Sequence, residues 1–349
     1  MTLLDTLIEI VNIPSVTGSE EELCSWLEDR YRDRYQLERI GRSLIVGRPG
    51  DGAPFTALYG HTDTVPEQGT PTARIDGDRL VGLGASDMKA GMAVMIELLD
   101  SGVGETDGTL VCVFYDGEEG PAANNGLEEV LDGAPWLLDA VLSIVLEPTD
   151  LNLEIGCNGV LNADVIFRGS SAHSARPWLG DNAVTKAGDW LAAMHSREPE
   201  VVEIGGLEYR EVFAVTNASG GIANNIIPSE FVINLNHRFP PIYSIEEAEA
   251  RLLEVASAAN EVVIRDRAPA GGVDLDTVAL QRLDGLIGGQ RKAKQGWTDV
   301  ARLTSRGAVA VNFGPGEVAQ AHQVDESVPI RHLDVAHDVL VGYLRGGST

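Results

Sequence analysis

The chain has 349 residues, which is long for one hydrophobic core and ample for two domains. Its formal net charge of −27 argues against nucleic-acid binding, because nucleic acids are bound by basic surfaces. The sequence contains no run of about 18 apolar residues, so no membrane-spanning segment is predicted.

The first thirty residues are predicted to form two helices. The N-terminal segment is interpreted as an amphipathic helix and not as a signal peptide, because it lacks a basic region and carries Asp5 and Glu9. Ser19 and Glu22 are predicted to form a capping box at the start of the second helix. The apolar face of that helix consists of Leu23, Trp26, Leu27 and Tyr31.

Four short apolar runs, rich in Val, Ile, Leu and aromatic residues, are predicted to be buried strands. They cover residues 55–59, 109–115, 141–146 and 308–313. Residues 90–99, between the first two runs, are predicted to be a helix. Strands that alternate with helices indicate an α/β fold whose sheet has mixed or parallel strands.

The middle of the chain has a different pattern of predicted strands and helices. Strand-like runs at 160–167, 212–217 and 231–239 alternate there with helix-like segments at 182–194 and 245–259. We therefore expect residues 158–270 to form a smaller α+β domain. It would be inserted into a larger domain made of residues 1–157 and 271–349, to which the chain returns through residues 273–286.

Polar residues that suit a metal ion follow three of the predicted strands directly. Ligands bind at the carboxyl ends of the strands in open α/β sheets, so these residues are expected to share one rim. A helix start and the last strand add two more residues to the same region. His and carboxylate ligands suit a dication such as zinc. In chain order the set is His61, Asp63, Asp87, Glu118, Glu119, Glu147 and His322.

Ordered motifs extend this pattern over nearly the whole chain. GHTDTVP, GASDMKAG, EEG, LEPT and SAHSARPWLGDNA resemble the zinc-dependent aminoacylase and carboxypeptidase superfamily. The resemblance implies a mixed-sheet catalytic domain that holds two Zn²⁺ per subunit, with Co²⁺ as an alternative in one site. It also implies an inserted α+β domain that acts as a lid and in dimerisation, so a homodimer is expected.

The matching motifs imply a role for each metal-site residue. His61 and Glu147 would bind one zinc ion, Glu119 and His322 the other, and Asp87 would bridge both. Each ion would then keep an open position for water, as catalytic zinc sites do.

Three further residues are implied in catalysis. Asp63 would hold the ring of His61. Glu118 would be the general base, since neighbouring side chains on extended backbone point apart and leave it free beside Glu119. By resemblance, His173 would donate a hydrogen bond to the oxyanion in the partner subunit's site.

Substrate contacts are predicted less directly. An Arg fork such as that of Arg238 suits a substrate carboxylate, although a surface salt bridge explains the same residue. Residues 296–302 match the superfamily loosely and depart from the shorter TSDGR form of related enzymes. The complete set of expected contacts is Arg176, Asn224, Asn225, Arg238, Thr298, Arg302 and Gly314.

The activity implied by the resemblance is removal of the succinyl group from N-succinyl-LL-2,6-diaminopimelate, a step of lysine and cell-wall biosynthesis. N-acetylornithine, other acyl amino acids and dipeptides remain alternative substrates, and a non-catalytic binding protein is a remote alternative. Cys24, Cys112 and Cys157 are odd in number and scattered, which indicates a reducing cytoplasm. The histidines without a motif are predicted to be structural: His195, His237, His332 and His337.

Overall fold

The computed structural model of the protein describes residues 2–69, 72–103, 109–287 and 290–346. None of the helices in these ranges is both long and apolar enough to cross a membrane. The helices are α1 Leu3–Val11, α2 Glu21–Tyr31, α3 Ala90–Asp100, α4 Leu127–Gly133, α5 Ala183–Lys186, α6 Gly188–His195, α7 Ile245–Val255, α8 Val278–Ile287, α9 Val300–Ser305 and α10 Ile330–Arg345. Shorter helical turns cover Ala85–Lys89, Ala122–Asn124, Pro135–Asp139, Pro177–Leu179 and Val318–Gln320.

The strands are short in the first half of the chain and longer in its middle. In chain order they are β1 Leu37–Ile40, β2 Ser43–Val46, β3 Thr56–His61, β4 Arg74–Asp76, β5 Arg79–Val81, β6 Leu110–Tyr115, β7 Leu142–Val145, β8 Leu153–Ile155, β9 Gly159–Arg168, β10 Glu200–Ile204, β11 Leu207–Gly220, β12 Glu230–Phe239, β13 Glu261–Ala268, β14 Arg291–Ala293, β15 Ala310–Asn312 and β16 Ser327–Pro329. All four strands predicted around the metal-site motifs are present as β3, β6, β7 and β15.

The chain divides into two compact units. The first consists of Met1–Gly156, Gly272–Ala293 and Thr298–Thr349, and the second of Cys157–Gly271 and Lys294–Trp297. The domain boundaries predicted from the sequence lie one residue away from these at both junctions. The inclusion of residues 294–297 in the second unit has no counterpart among the predictions, because this short segment carries no periodic pattern.

The first unit contains an eight-stranded mixed sheet in the order β1-β2-β6-β3-β7-β15-β8-β14. Helix α3 contacts β3 and packs against α1 and α10. Ala57 and Tyr59 of β3 belong instead to a buried cluster that includes Leu127 of α4 and Leu303 of α9. The central strands are therefore covered on both faces, which explains why they appear in the sequence as continuous apolar runs.

The centre of this sheet brings several loops to one edge. β3 is parallel to both β6 and β7, and β15 is parallel to β7. His61, the last residue of β3, is paired with Tyr115, the last residue of β6. The carboxyl ends of these strands thus lie at the same edge, as the predicted mixed α/β fold requires.

The predicted start of α2 is wrong. Its N-cap is Glu20, which has helical backbone angles and makes no side-chain cap, so Ser19 and Glu22 do not form a capping box. The Glu20 carboxylate is buried and accepts the Gly18 N–H at 2.7 Å, which turns the chain before the helix. A capping box is present at α1, between Thr2 and Asp5.

The second unit is an antiparallel five-stranded sheet in the order β10-β11-β12-β9-β13. Trp190 of α6 and Leu252 of α7 pack with Leu161 and Leu235 of the sheet in one buried cluster. The helix predicted over 182–194 is interrupted at Ala187 and forms α5 and α6. β10 and β13 were not predicted, because their residues are mostly exposed or partly exposed and carry many charges.

Candidate metal-dependent active site

His61 lies at the centre of the polar edge of the first unit and is fully buried. Its Nδ1 is 3.0 Å from the backbone oxygen of Asp63, and its Nε2 is 3.2 Å from Oδ1 of Asp87. Oε1 of Glu147 lies 3.8 Å from the same Nε2 atom. Burial lowers the pKa of His61, but the carboxylates of Asp63 and Asp87 outweigh burial and hold it well above its usual range.

Asp87 lies between two histidines that come from distant parts of the chain. Its Oδ1 faces His61, while its Oδ2 is 3.6 Å from Nε2 of His322. It occupies the irregular turn before α3, where its backbone has non-helical angles and Gly84 has a φ of 73°. This position lets one carboxylate face two sites at once.

Glu119 and His322 complete the second half of the cluster. Nε2 of His322 is 3.0 Å from both carboxylate oxygens of Glu119. The hydrogen bond with Glu119 raises the pKa of His322 to about 9, against the opposing effect of burial. His322 is half-exposed and has a φ of 63°, so its loop is open to solvent.

The ligand atoms form overlapping groups within 4.8 Å of one another. One group is His61, Asp87 and Glu147, and another is Asp87, Glu119 and His322. These coincide with the two ligand sets that the motifs imply, with Asp87 common to both. A third group combines His61 with Glu118 and Glu119.

Asp63 organises the loop that carries the two adjacent glutamates. Its Oδ1 accepts the N–H of Glu118 and its Oδ2 the N–H of Glu119, both at 3.0 Å. Oδ2 also accepts the hydroxyl of Thr17 at 2.8 Å. Asp63 is fully buried, so it holds His61 and the Glu118–Glu119 backbone in a fixed relation.

Glu118 is set in an acidic environment. Burial raises its pKa well above the usual range, and the charges of Glu147 and Asp299 add to this effect while His61 opposes it. Asp299 is itself fully buried, where Nδ2 of Asn125 donates to both of its oxygens at 3.0 and 3.1 Å. Carboxylates crowded in this way form the environment that a bound dication neutralises.

Sequence reasoning missed Glu326, Asp299 and Asn125. Glu326 is buried and accepts three backbone N–H groups from the turn that carries Asp87. The charge of Asp299 acts on Glu118, and Asn125 donates hydrogen bonds to Asp299. The pattern gave only a weak signal for Glu326, namely a carboxylate four residues after His322 and next to a short apolar strand.

Three predicted substrate contacts in the first unit have structural partners. Arg302 donates from Nη1 to Glu128 at 2.9 Å and from Nη2 to the Ala122 carbonyl at 2.7 Å, and its Nε forms an ion pair with Oδ1 of Asp299 at 2.9 Å. Thr298 is buried two residues before α9 begins. Gly314 packs so closely on the loop after β7 that a Cβ there would lie 2.6 Å from the Glu147 carbonyl oxygen. Its lack of a side chain therefore makes room for Glu147.

The remaining predicted contacts belong to the second unit. His173 is exposed, and its Nδ1 accepts the Ala175 N–H at 3.0 Å. Since a backbone N–H only donates, the neutral ring carries its proton on Nε2. Arg176, Asn224 and Asn225 are exposed, and the Asn225 carbonyl accepts the Ser174 N–H at 2.9 Å.

Arg238 differs from these exposed residues. It lies on β12, is partly buried, and donates from Nε to Oδ1 of Asn236 at 3.1 Å. Burial lowers the pKa of Arg238. The described residues include no salt bridge of this guanidinium, so the surface salt bridge considered above is not formed.

Comparison with known proteins identifies the family of this chain. The family model described as peptidase family M20/M25/M40 matches residues 57–346. A Mycobacterium tuberculosis protein provisionally named succinyl-diaminopimelate desuccinylase DapE is 36% identical over 341 residues, covering 97% of this chain and 96% of its own. The Corynebacterium glutamicum succinyl-diaminopimelate desuccinylase is 34% identical over 346 residues, covering 96% and 94%.

A solved structure shares the fold. The Bacillus subtilis YXEP protein, described as a dinuclear metal binding peptidase from the M20 family, superposes with a TM-score of 0.69. It is 14% identical and the match covers 98% of this chain and 96% of that one. The family model covers most of the sequence, including the strands that end at the polar cluster. The chain therefore belongs to peptidase family M20/M25/M40 and is a metal-dependent hydrolase of amide bonds.

Proposed function

We propose that the protein removes the succinyl group from N-succinyl-LL-2,6-diaminopimelate, giving LL-diaminopimelate and succinate. The observation that carries the proposal is the position of Asp87 between His61 and His322, with Glu118 beside the cluster. The substrate is supported by relatives named for this activity, which match over nearly their full length. The reaction would serve lysine and cell-wall biosynthesis in the cytoplasm.

Two zinc ions are proposed to occupy the cluster, with Co²⁺ as an alternative in one position. The donor set fits, because imidazole and carboxylate ligands suit zinc and each group of three leaves a position for water. His61, Asp87 and Glu147 would hold one ion, and Asp87, Glu119 and His322 the other. Burial, together with the charges of neighbouring carboxylates, holds the pKa of Glu118 well above its usual range, and this excess of negative groups also favours bound dications.

The chain's own residues would then handle the proton. Bound metal ions lower the pKa of a water molecule and polarise a carbonyl oxygen. Glu118 would accept the proton from the attacking water and return it to the leaving amine. Its backbone is fixed by Oδ1 of Asp63 at 3.0 Å, which keeps the carboxylate beside the ligand Glu119 while leaving it free to move a proton.

A homodimer is proposed in which the second unit mediates assembly. β10 pairs only with residues 207–211 of β11, and residues 215–220 are exposed. Among the described residues no further strand covers that edge. An open edge can pair with the same edge of a second copy. His173, with its Nε2–H free to donate, would serve as the oxyanion donor of the partner subunit's site.

A substrate panel tests the proposal. Zinc-loaded protein is incubated with N-succinyl-LL-2,6-diaminopimelate, N-acetylornithine, other acyl amino acids and dipeptides, and the released amine is measured. Glu118→Gln protein, prepared identically, is the matched control for contaminating hydrolases. The highest kcat/KM is expected for the succinylated substrate.

Other outcomes replace the proposal with a definite alternative. A preference for N-acetylornithine or for a dipeptide would keep the metal centre and change the substrate. Stoichiometric zinc with no hydrolysis of any member would indicate a binding protein on this scaffold. Protein that takes up no metal would contradict the centre itself.

A further inference from the structure

Glu326 makes an unusual contact for a buried carboxylate, because its partners are backbone N–H groups of a single turn. Its Oε2 accepts the N–H of Gly84 at 2.8 Å. Its Oε1 accepts the N–H of Ser86 at 2.7 Å and that of Asp87 at 2.8 Å. Glu326 is only 3% exposed, so water does not compete strongly for these bonds.

The backbone of Glu326 is held as firmly as its side chain. Its carbonyl oxygen accepts the Gly82 N–H at 3.0 Å. The next residue begins β16, which pairs antiparallel with β5 just before the turn. The turn therefore donates hydrogen bonds to both the main-chain and the side-chain oxygens of one residue.

A second contact joins the same two parts of the chain. The Ser86 hydroxyl donates to the Glu317 carbonyl at 3.1 Å and accepts the Glu317 N–H at 3.0 Å. The approach is close, since a Cβ on Gly316 would lie 2.6 Å from the Ser86 Oγ. The turn carrying Asp87 is thus attached at two points to the segment that carries His322.

This attachment matters because the turn carries Asp87, whose carboxylate lies between the two proposed metal positions. Its two oxygens face imidazoles on distant segments of the chain, His61 at 3.2 Å and His322 at 3.6 Å. A small rotation of the Asp87 backbone would move Oδ1 away from His61 or Oδ2 away from His322. Orientation of the carboxylate therefore depends on the groups that fix its backbone.

We propose that Glu326 is a positioning residue that fixes the Asp87 carboxylate between the two metal positions and couples it to the loop of His322. The inference rests on the proposed metal centre. Glu326 touches neither metal position in this account, and acts only through the backbone of Asp87 and its neighbours. Weakening it should reduce the affinity for both ions together, since Asp87 is shared.

Glu326→Gln tests this inference. The variant keeps the shape of the side chain but places an NH₂ group against backbone N–H donors, which breaks at least one of the three bonds. Asp325→Asn is the matched control, because it removes the same charge from the adjacent, exposed residue. Apoprotein of each variant is titrated with Zn²⁺ and with Co²⁺ by calorimetry, and thermal unfolding of the apoprotein is measured in parallel.

A loss of about 10–100-fold in affinity is expected for both ions in Glu326→Gln, with Asp325→Asn equal to wild type. Wild-type affinities in Glu326→Gln would overturn the inference while leaving the metal centre intact. A lower unfolding temperature with unchanged metal affinities would show a structural role only and also overturn it. If wild-type protein itself binds no metal, the proposed function fails instead.

Glu326→Asp is measured if Glu326→Gln apoprotein does not fold. It keeps the carboxylate and shortens its reach by one methylene, so weaker binding of both ions is again expected. Unchanged affinities in Glu326→Asp would then count as the contrary result. The cobalt form adds a second readout, because displacement of Asp87 should alter the visible absorption of the bound ions.

Discussion

Each unit of the molecule contains a glutamate beside a buried histidine, and the two pairs differ in their charge balance. In the second unit Glu211 contacts His237 and Arg251: Oε1 of Glu211 is 2.7 Å from Nε2 of His237 and 2.7 Å from Nε of Arg251. In the first unit Glu118 has further carboxylates around it. The pKa of Glu211 falls to about 2, because its partners outweigh burial, whereas burial and neighbouring charges raise the pKa of Glu118 well above its usual range.

The position along the strands differs in the same way. Glu211 and His237 lie within paired segments of β11 and β12, where the Phe213 ring stacks on His237 with centroids 4.0 Å apart. His61 and the loop of Glu118 lie at strand ends. Residue type alone therefore does not separate a structural pair from a reactive one. The two kinds of pair are separated by the balance of nearby charge and by their position along the strand.

The largest effect is expected from Glu118→Gln. Turnover should fall by about 10²–10⁴-fold or more, because the amide cannot accept the proton of water. Both metal ions should remain bound, since Glu118 is adjacent to a proposed ligand without being one. Steady-state kinetics and elemental analysis measure the two quantities.

The second unit supplies the control for that prediction. Glu211→Gln makes the same chemical change at the other glutamate–histidine pair. Folded Glu211→Gln protein should keep turnover near wild type. Loss of a full equivalent of metal in Glu118→Gln would instead make Glu118 a ligand and remove the distinction between base and ligand.

The next largest effect concerns metal binding at the shared carboxylate. Asp87→Ala should weaken both ions, whereas Glu147→Ala should chiefly weaken one, because only Asp87 faces both histidines. Removal of a group that only supports a metal ligand typically lowers the metal affinity by about 10–100-fold. Removal of the ligand itself should lower the affinity by at least that factor. Calorimetric zinc titration resolves the two sites. Equal losses at a single site in both variants would count against a bridging Asp87.

Much of this site could be predicted from the sequence because its residues follow apolar strands. A buried parallel strand leaves a continuous apolar run, and the residue after it must lie at the rim of the sheet. In the structure His61 ends β3, Glu147 lies just after β7, and Glu119 lies in the loop after β6. Asp87 and His322 come from irregular segments. A helix start and the last strand brought them into the candidate set, and the motifs then implied their roles as ligands.

The supporting residues could not be predicted in the same way. Glu326 acts on backbone N–H groups more than 200 residues earlier, and no local pattern records such a contact. Gly314 and Arg302 were expected to contact substrate, and in the structure Gly314 leaves no space for a side chain while Arg302 forms an ion pair with Asp299. The N-cap of α2 was missed because Glu20 makes a buried bond to Gly18 in place of a side-chain cap.

A smaller effect is expected when two inactive variants are combined. Glu118→Ala and His173→Ala should each be nearly inactive alone. After random subunit exchange, half of the dimers are mixed, and one of their two sites combines an intact Glu118 with the partner's His173. Activity should therefore recover to about a quarter of wild type. A mixture that stays inactive, with exchange confirmed by mass spectrometry, would show that His173 acts within its own chain.

The smallest effect on activity is expected from changes to Glu211 and His237 of the second unit, because this pair should contribute to the stability of the fold and not to catalysis. The Glu211 pKa falls from 4.5 to about 2 on folding, so its ionised form stabilises the fold. This contribution is fully present above about pH 4.5 and is lost as the pH falls through about 2. A shift of that size corresponds to about 3 kcal/mol of unfolding free energy.

Glu211→Gln should therefore be less stable than wild type by about 3 kcal/mol at pH 7, and the difference should narrow as the pH falls toward 3. Glu200→Gln is the matched control, since Glu200 lies 3.1 Å from the same Arg251 but is largely exposed, and its loss should cost under about 1 kcal/mol. Urea unfolding at both pH values measures these differences. A constant gap between Glu211→Gln and wild type would show that packing, not ionisation, makes this pair important. The balance of nearby charge would then no longer distinguish the Glu211–His237 pair from Glu118 and His61 at the metal site.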